Sequence, residues 1–303
     1  MKYVITGSTG HISKPIITAL VKAGHEVTVI TSKADREKEI ASLGATAAVG
    51  AVEDVVFLTK AFSGAKAVYT MVPPTYTPSD WKAHIGQVGK NYAEAIKSNG
   101  IKYVVNLSSV GAHMAEGCGP VSGLHRVETA LNGLTGVHIK HLRPAYFYYN
   151  LLNNINLIKN AGIIGSNFGM SDKKFTLADP SDIAAAAITH LLNLDFTGQS
   201  VQYVISDEVS TDEIATVLGN AINKPELKWI TFTDEQALQG ALEAGLPEEL
   251  AKNYTEMGHA VQTGEMGADY WKNHVPVAGK VKLADFAKTF AAAYNGEATV
   301  AAH

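Results

Sequence analysis

Seven residues near the start have the spacing to hold an anion. Gly7-Ser8-Thr9-Gly10-His11-Ile12-Ser13 follows an apolar run and precedes a stretch in which Ile12, Ile16, Leu20 and Ala23 recur at helical spacing. Gly7 permits a tight turn, Gly10 lets the backbone approach a pyrophosphate, and the first helical amides supply positive potential. Gly7, Thr9, Gly10, His11 and Ile12 are therefore the candidate dinucleotide contacts. The spacing is G-x-x-G-x-x-S, with small Ser13 where a third glycine would pack helix on strand. The second apolar run ends Val29-Ile30-Thr31-Ser32-Lys33-Ala34-Asp35-Arg36, with no acidic residue before Asp35 to bond a ribose 2′-hydroxyl. Ser32 with Lys33 or Arg36 suits a 2′-phosphate instead, through charge-assisted hydrogen bonds worth about 1.5–3 kcal/mol each. NADP(H) is expected over NAD(H).

Candidate chemistry beyond the turn is sparse. His125 precedes Glu128 by three positions on an expected helix 123–131, a spacing at which the carboxylate would orient the imidazole and raise its pKa. His113 follows the strand end Ser108-Ser109, where ligands sit in open α/β sheets. Either histidine is a candidate proton donor. Tyr146, Phe147, Tyr148 and Tyr149 leave the sixth strand as an aromatic wall suited to a flat ring, with Tyr146, Phe147 and Tyr149 the candidate pocket residues, though such clusters also serve packing. Cys118, between Gly117 and Gly119, reads as an inert thiol in an exposed loop. The 11 histidines show no metal-ligand spacing and the chain has no Gly-x-Ser-x-Gly elbow, so neither a metal site nor a serine hydrolase is expected.

These residues need a frame, and the first half of the chain supplies one. Short β-rich runs alternate with amphipathic stretches, the pattern of an α/β fold with a doubly wound parallel sheet. Strands are predicted at Lys2–Thr6, Glu26–Thr31, Thr46–Val49, Ala67–Val72, Lys102–Leu107 and Val137–Leu142. Trp81, Ile85, Val88, Tyr92 and Ile96 mark one helical face, and Asn99-Gly100 its stop. Past residue 145 the strand signals thin out. Asp179-Pro180, Ser210-Thr211-Asp212-Glu213 and Thr233-Asp234-Glu235-Gln236 mark three helix starts. Short strands at Gln202–Ser206 and Lys228–Phe232, a last helix at Asp285–Tyr294 and a frayed tail Thr299–His303 complete the reading. The expected division is a dinucleotide-binding domain over residues 1–145, with 180–206 returning to the sheet, and a smaller, mostly helical C-terminal substrate lobe over 146–179 and 207–303. A cleft between them is the expected substrate site.

Composition sets the outer limits. With 303 residues, 46% hydrophobic and 18% charged, the chain is long enough for one large core and far from disordered compositions. A net charge of −4 gives no footprint for nucleic acid. The single cysteine excludes a disulfide framework, and no charged segment with an apolar h-region or membrane-length run occurs. The expectation is a cytoplasmic protein without nucleic-acid or membrane partners, a monomer or homodimer acting on a small molecule.

Four patches resemble the NmrA-like family, a branch of the atypical short-chain dehydrogenase/reductase superfamily with quinone-reductase-like and isoflavone-reductase-like members. They are VITGSTGHIS at the N-terminus, Val105-Asn106-Leu107-Ser108-Ser109-Val110-Gly111, the run from Leu142-Arg143-Pro144 through Tyr146, Phe147 and Asn150 to Leu152, and Asp182-Ile183-Ala184. Leu283-Ala284-Asp285-Phe286-Ala287 is similar to the family's last helix. The resemblance implies a Rossmann-type sheet with a small C-terminal lobe, NAD(P) at the glycine turn, Ser108 near the cofactor, and backbone contacts from Met71, Val72, Pro73 and Pro74 beside the nicotinamide ribose. Aligned on Glu128, Pro120 and Leu124 stand where carbonyl-reducing relatives carry Tyr-x-x-x-Lys, and no tyrosine lies between Tyr103 and Tyr146. Simple ketone reduction loses its usual proton donor. Hydride transfer from NADPH to a quinone or conjugated carbonyl is the leading expectation, because the anion formed can take its proton from water or a histidine. The alternatives are a non-catalytic NAD(P)-sensing regulator and, behind it, epimerase chemistry.

Overall fold

The computed structural model describes residues 1–75 and 78–297; the tail Thr299–His303 lies outside the described residues. The first half builds β1 (Lys2–Ile5), α1 (Ser13–Lys22), β2 (Glu26–Thr31), α2 (Glu37–Ser42), β3 (Thr46–Val49), α3 (Val55–Ala61), β4 (Ala67–Thr70), α4 (Trp81–Ser98), β5 (Tyr103–Leu107), α5 (Pro120–Asn132) and β6 (His138–Pro144). The six strands run parallel in the order 3-2-1-4-5-6, and a seventh from later in the chain adds beside β6. Chain reversal beside β1 places the glycine turn between β2 and β4, where such sheets open a crevice.

Period-2 alternation explains why both sheet faces are covered. Tyr3, Ile5, Val29 and Tyr69 point into one core with Ile16, Ile17 and Leu20 of α1. Val4, Ile30, Val68 and Val104 point into the other with Val88, Tyr92 and Ile96 of α4. Each such side chain contributes about 1.5–3 kcal/mol on burial. Helix starts follow local chemistry: Asp54 accepts from the amides of Val56 and Phe57, Asp80 from that of Ala83, and Pro120 opens α5. Helices α4 and α5 approach closely because both carry glycine at the crossing. A β-carbon on Gly89 would stand 2.7 Å from the Val127 Cα, and one on Gly123 2.8 Å from the Ile85 Cβ.

The second half continues with β7 (Tyr146–Phe147), a 3-10 stretch (Tyr148–Asn154), α6 (Ile155–Ala161), β8 (Ile164–Ser166), β9 (Phe175–Ala178), α7 (Pro180–Asn193), β10 (Gln199–Val204), β11 (Asp207–Val209), α8 (Thr211–Ala221), β12 (Trp229–Thr231), α9 (Asp234–Glu243), α10 (Glu248–Thr263), α11 (Ala268–Lys272) and α12 (Leu283–Asn295). All three expected helix starts are present. Asp179 caps α7 at Pro180, and both Ser210/Glu213 and Thr233/Gln236 form reciprocal capping boxes. β10 is the seventh sheet strand, and it starts and ends earlier than Gln202–Ser206. Its end is early because Ser206 turns away, donating its amide to the Leu177 carbonyl and its hydroxyl to Asp182. Two small sheets, β11-β9-β7 and β12-β8, sit among the C-terminal helices. Helix α10 is tied to the first half by Lys82 on Glu256 and by the Trp81 amide on Glu249.

Candidate functional site

The glycine turn begins where β1 ends. Gly7 has φ +89° and Ser8 φ +53°, left-handed conformations that swing the chain away from the sheet edge. A β-carbon on Gly7 would stand 2.7 Å from Ser13 Oγ and 3.0 Å from Met71 Cγ, so the position excludes any side chain. Ser13, buried, donates its hydroxyl to the Thr6 carbonyl at 3.0 Å. It thereby holds α1 against the end of β1 by a hydrogen bond where a third glycine would do so by contact. Helix α1 has no side-chain cap on its first amides. Across the turn, the Met71 amide donates to Thr6 Oγ1 at 2.8 Å, and Tyr92 donates its hydroxyl to the Met71 carbonyl at 2.7 Å. The loop leaving β4 is thus pinned beside the turn.

A groove of about 1120 Å³ opens over this arrangement. Of the residues singled out from sequence, Gly7, Thr9, Gly10, His11, Ser32, Lys33, Arg36, Met71 and Pro73 line it. Ile12, Val72 and Ser108 do not, and neither do His113, His125, Tyr146, Phe147 and Tyr149: Ile12 and Val72 pack against the two cores, and buried Ser108 donates its hydroxyl to Glu128. At the far rim Ser32 and Lys33 are exposed, and Ser8, Thr31 and the Lys33 amide are linked by hydrogen bonds of 3.1 and 3.2 Å. Glu39, which sequence reasoning did not single out, accepts from Lys14, Arg36 and Thr9. Those three bonds, Lys14's strongest, hold its carboxyl down at about 2. Its signal in the sequence was the Arg36-to-Glu39 spacing of three.

The aromatic run divides. Phe147 and Tyr149 have ring centroids 5.1 Å apart, and Tyr149 lies 6.4 Å from the His11 ring, which brings the C-terminal part over the glycine turn. Tyr146 packs instead between Phe168 and Phe175. Tyr148 is fully buried and stacks on Phe286 of α12.

The region beyond β5 differs from expectation at two points. Glu128 does not face His125. It is 5% exposed and takes two hydrogen bonds from Arg143, at 3.0 and 2.6 Å, because a buried carboxylate on α5 needs a full countercharge. His125 Nδ1 instead donates to the Ala112 carbonyl at 2.9 Å. Cys118 is buried rather than exposed, packed beneath α10, and burial pushes its thiol up to about 12. The loop folds inward because Gly119 takes φ +53° against the Asn253 carbonyl. His113 carries a buried Nδ1 with no hydrogen-bond partner among the described residues. Sequence reasoning also missed a polar relay through the sheet: Thr70 donates to Asn106, whose amide meets His141 Nδ1, while His141 Nε2 meets Asn132. Burial keeps His141 below its ordinary pKa, so the ring is held neutral.

The family model described as the NmrA-like family matches residues 2–275. The chain belongs to the NmrA-like family. No curated protein sequence matches it. Solved structures similar to this NmrA-like chain include the NADPH-dependent quinone oxidoreductase of Escherichia coli complexed with NADPH, at 18% identity and a TM-score of 0.79, covering 95% of this chain and 99% of that one. The triphenylmethane reductase of a Citrobacter species complexed with NADP(H) gives 20% and 0.78, with coverage of 95% and 99%. A nucleoside-diphosphate-sugar epimerase of Staphylococcus aureus gives 15% and 0.76, with coverage of 95% and 100%. These likenesses establish the Rossmann-type fold. In this NmrA-like protein Arg143, from the Leu142-Arg143-Pro144 run, also donates to Asp269 of α11 at 2.9 Å, and Tyr203 of β10 donates to the same carboxylate. No helix among the described residues is long and apolar enough to cross a membrane.

Proposed function

We propose that the protein is an NAD(P)H-dependent oxidoreductase that holds NADP(H) in the groove and reduces a small aromatic acceptor, a quinone or a conjugated carbonyl. The observation that carries the reading is the turn itself: backbone at positive φ, no room for a β-carbon on Gly7, and an α1 without a side-chain cap that begins at the groove wall. This cradle fits a pyrophosphate. Ser32, Lys33 and Arg36 at the far rim would take the 2′-phosphate, and Met71 and Pro73 would lie along the nicotinamide end. The nicotinamide, when bound, supplies the hydride. The chain's own work is to orient it, to exclude water with the Phe147 and Tyr149 rings, and to offer a proton. His125 is the proposed donor, since its Nδ1–H on Ala112 leaves Nε2 to exchange a proton. His113 is the second candidate. The likeness to the E. coli quinone reductase and the Citrobacter dye reductase, whose structures hold NADPH and NADP(H), supports both cofactor and acceptor class.

One observation favours a second reading, in which the chain senses NAD(P) without turnover: Pro120 opens α5 and Leu124 follows on it, where carbonyl-reducing relatives carry the Tyr and Lys. Binding is tested first. A β-carbon on Gly10 meets nothing closer than the Gly7 carbonyl at 3.3 Å, so Gly10→Val should fold while its side chain fills the pyrophosphate path. Calorimetry should find NADPH binding abolished; undiminished affinity in the folded variant would remove the groove from the reading.

A further inference from the structure

Glu39 stands outside the contacts proposed above, yet it occupies three of the groove's own donors. Lys14 Nζ reaches its Oε1 at 2.9 Å, while Arg36 Nη1 and Thr9 Oγ1 both reach its Oε2 at 2.8 Å. The three come from α1, from the segment leading into α2, and from the glycine turn, and all three line the groove. One carboxylate thus draws the two sides of the groove mouth together. It is ionised at any working pH, because its hydrogen bonds hold it at about 2. A phosphate monoester presents the same kind of acceptor oxygens with more negative charge, and it repels a neighbouring carboxylate. Glu39 and a 2′-phosphate therefore compete for Arg36 and oppose each other in charge.

We propose that Glu39 is a built-in counter-anion of the 2′-phosphate subsite, one that keeps Thr9, Lys14 and Arg36 converged in the free protein and releases Arg36 when a 2′-phosphorylated dinucleotide enters. The proposal rests on the reading that the dinucleotide lies in the groove with its adenosine ribose toward Ser32 and Arg36. Glu39 then sets specificity by opposition. It lowers affinity for NADP(H), leaves NAD(H) untouched, and so narrows the preference that Lys33 and Arg36 create.

Glu39→Gln keeps the shape and one acceptor and removes the charge. NADPH should bind about three- to tenfold tighter, the scale of an exposed charge pair together with a freed arginine contact, while NADH affinity stays level. Added salt should shrink the gain, since the opposition is solvent-exposed and screened. The experiment is calorimetry of NADPH and NADH on the full chain as wild type, Glu39→Gln, Arg36→Ala and the double variant, with Glu39→Ala as a second removal of the charge. Tighter NADPH in either Glu39 variant, cancelled when Arg36→Ala is added, supports the proposal. Weaker binding of both cofactors would make Glu39 a structural tie and overturn it, as would no change in either. The underlying reading fails separately: wild-type protein that binds NADH and NADPH equally, with Arg36→Ala indifferent to both, has no 2′-phosphate subsite at Arg36.

Discussion

Arg143 serves two carboxylates through one guanidinium. It balances Glu128, which in turn fixes the Ser108 hydroxyl at the end of β5, and it reaches Asp269 on α11, so the sheet and the C-terminal helices share one charged joint. Arg143 is 7% exposed and Glu128 5%. A carboxylate as dry as that of Glu128 is tolerable only with the arginine present. Arg143→Met should therefore cost about 3–5 kcal/mol by urea denaturation, the scale of an uncompensated buried charge. Glu128→Met should cost a similar amount, and the double variant clearly less than the sum, since removing both partners leaves a smaller burden. Additive losses would show that the two residues do not act as a pair.

Elements decide which residues were legible. Strands β1, β2, β4, β5 and β6 and helix α4 could be read because each buries several apolar residues, and the caps at Asp179, Ser210 and Thr233 because their chemistry is local. The pieces β7, β8, β9 and β11 lie outside the alternation of strand and helix that marks the first half, and they form by pairing with partners distant in the chain, β7 and β11 on β9 and β8 on β12. The glycine turn was legible for the same local reason, whereas Glu128 and Cys118 were not. Where their side chains point depends on β6 and α10, which the sequence spacing around them does not encode. Cys118 gives this a measurable form. Burial, with the Glu256 charge adding to it, pushes the thiol up to about 12, against roughly 8.5 in an unfolded chain. Folded protein at pH 8 should resist alkylation, with labelling tracking global unfolding in urea. The unfolded state releases this proton first, so the Cys118 contribution to stability is level below about 8.5 and declines from there toward 12. Cys118→Ala should flatten that decline relative to wild type, and rapid labelling of native protein would contradict the burial.

At the scale of the whole molecule, sheet order and chain return place two unlike surfaces face to face. The ends of β1, β2 and β4 give a groove with cations at its rim, and the C-terminal part brings Tyr149, with Phe147 beside it, close to the turn at His11. A flat acceptor between those rings and a nicotinamide would be held for hydride transfer by geometry alone. The chain carries no Tyr-x-x-x-Lys, so on the oxidoreductase reading the acceptor would have to tolerate developing negative charge without a strong acid at hand. A quinone does, by delocalisation, and a simple ketone does not. On the oxidoreductase reading, absorbance at the reduced-nicotinamide band should fall with substituted benzoquinones and stay level with simple ketones. His125→Ala should then slow quinone turnover by no more than the roughly 10²–10⁴-fold typical of one general acid, with NADPH affinity retained. The sensing reading predicts a different set of results: NADPH bound, no oxidation above the buffer rate with any quinone, and a partner surface that responds to NADP⁺ against NADPH. Flat traces across the panel, in protein shown by calorimetry to bind NADPH, would transfer the function to sensing. A quinone signal that survives both His125→Ala and His113→Ala unchanged would instead assign the proton to water.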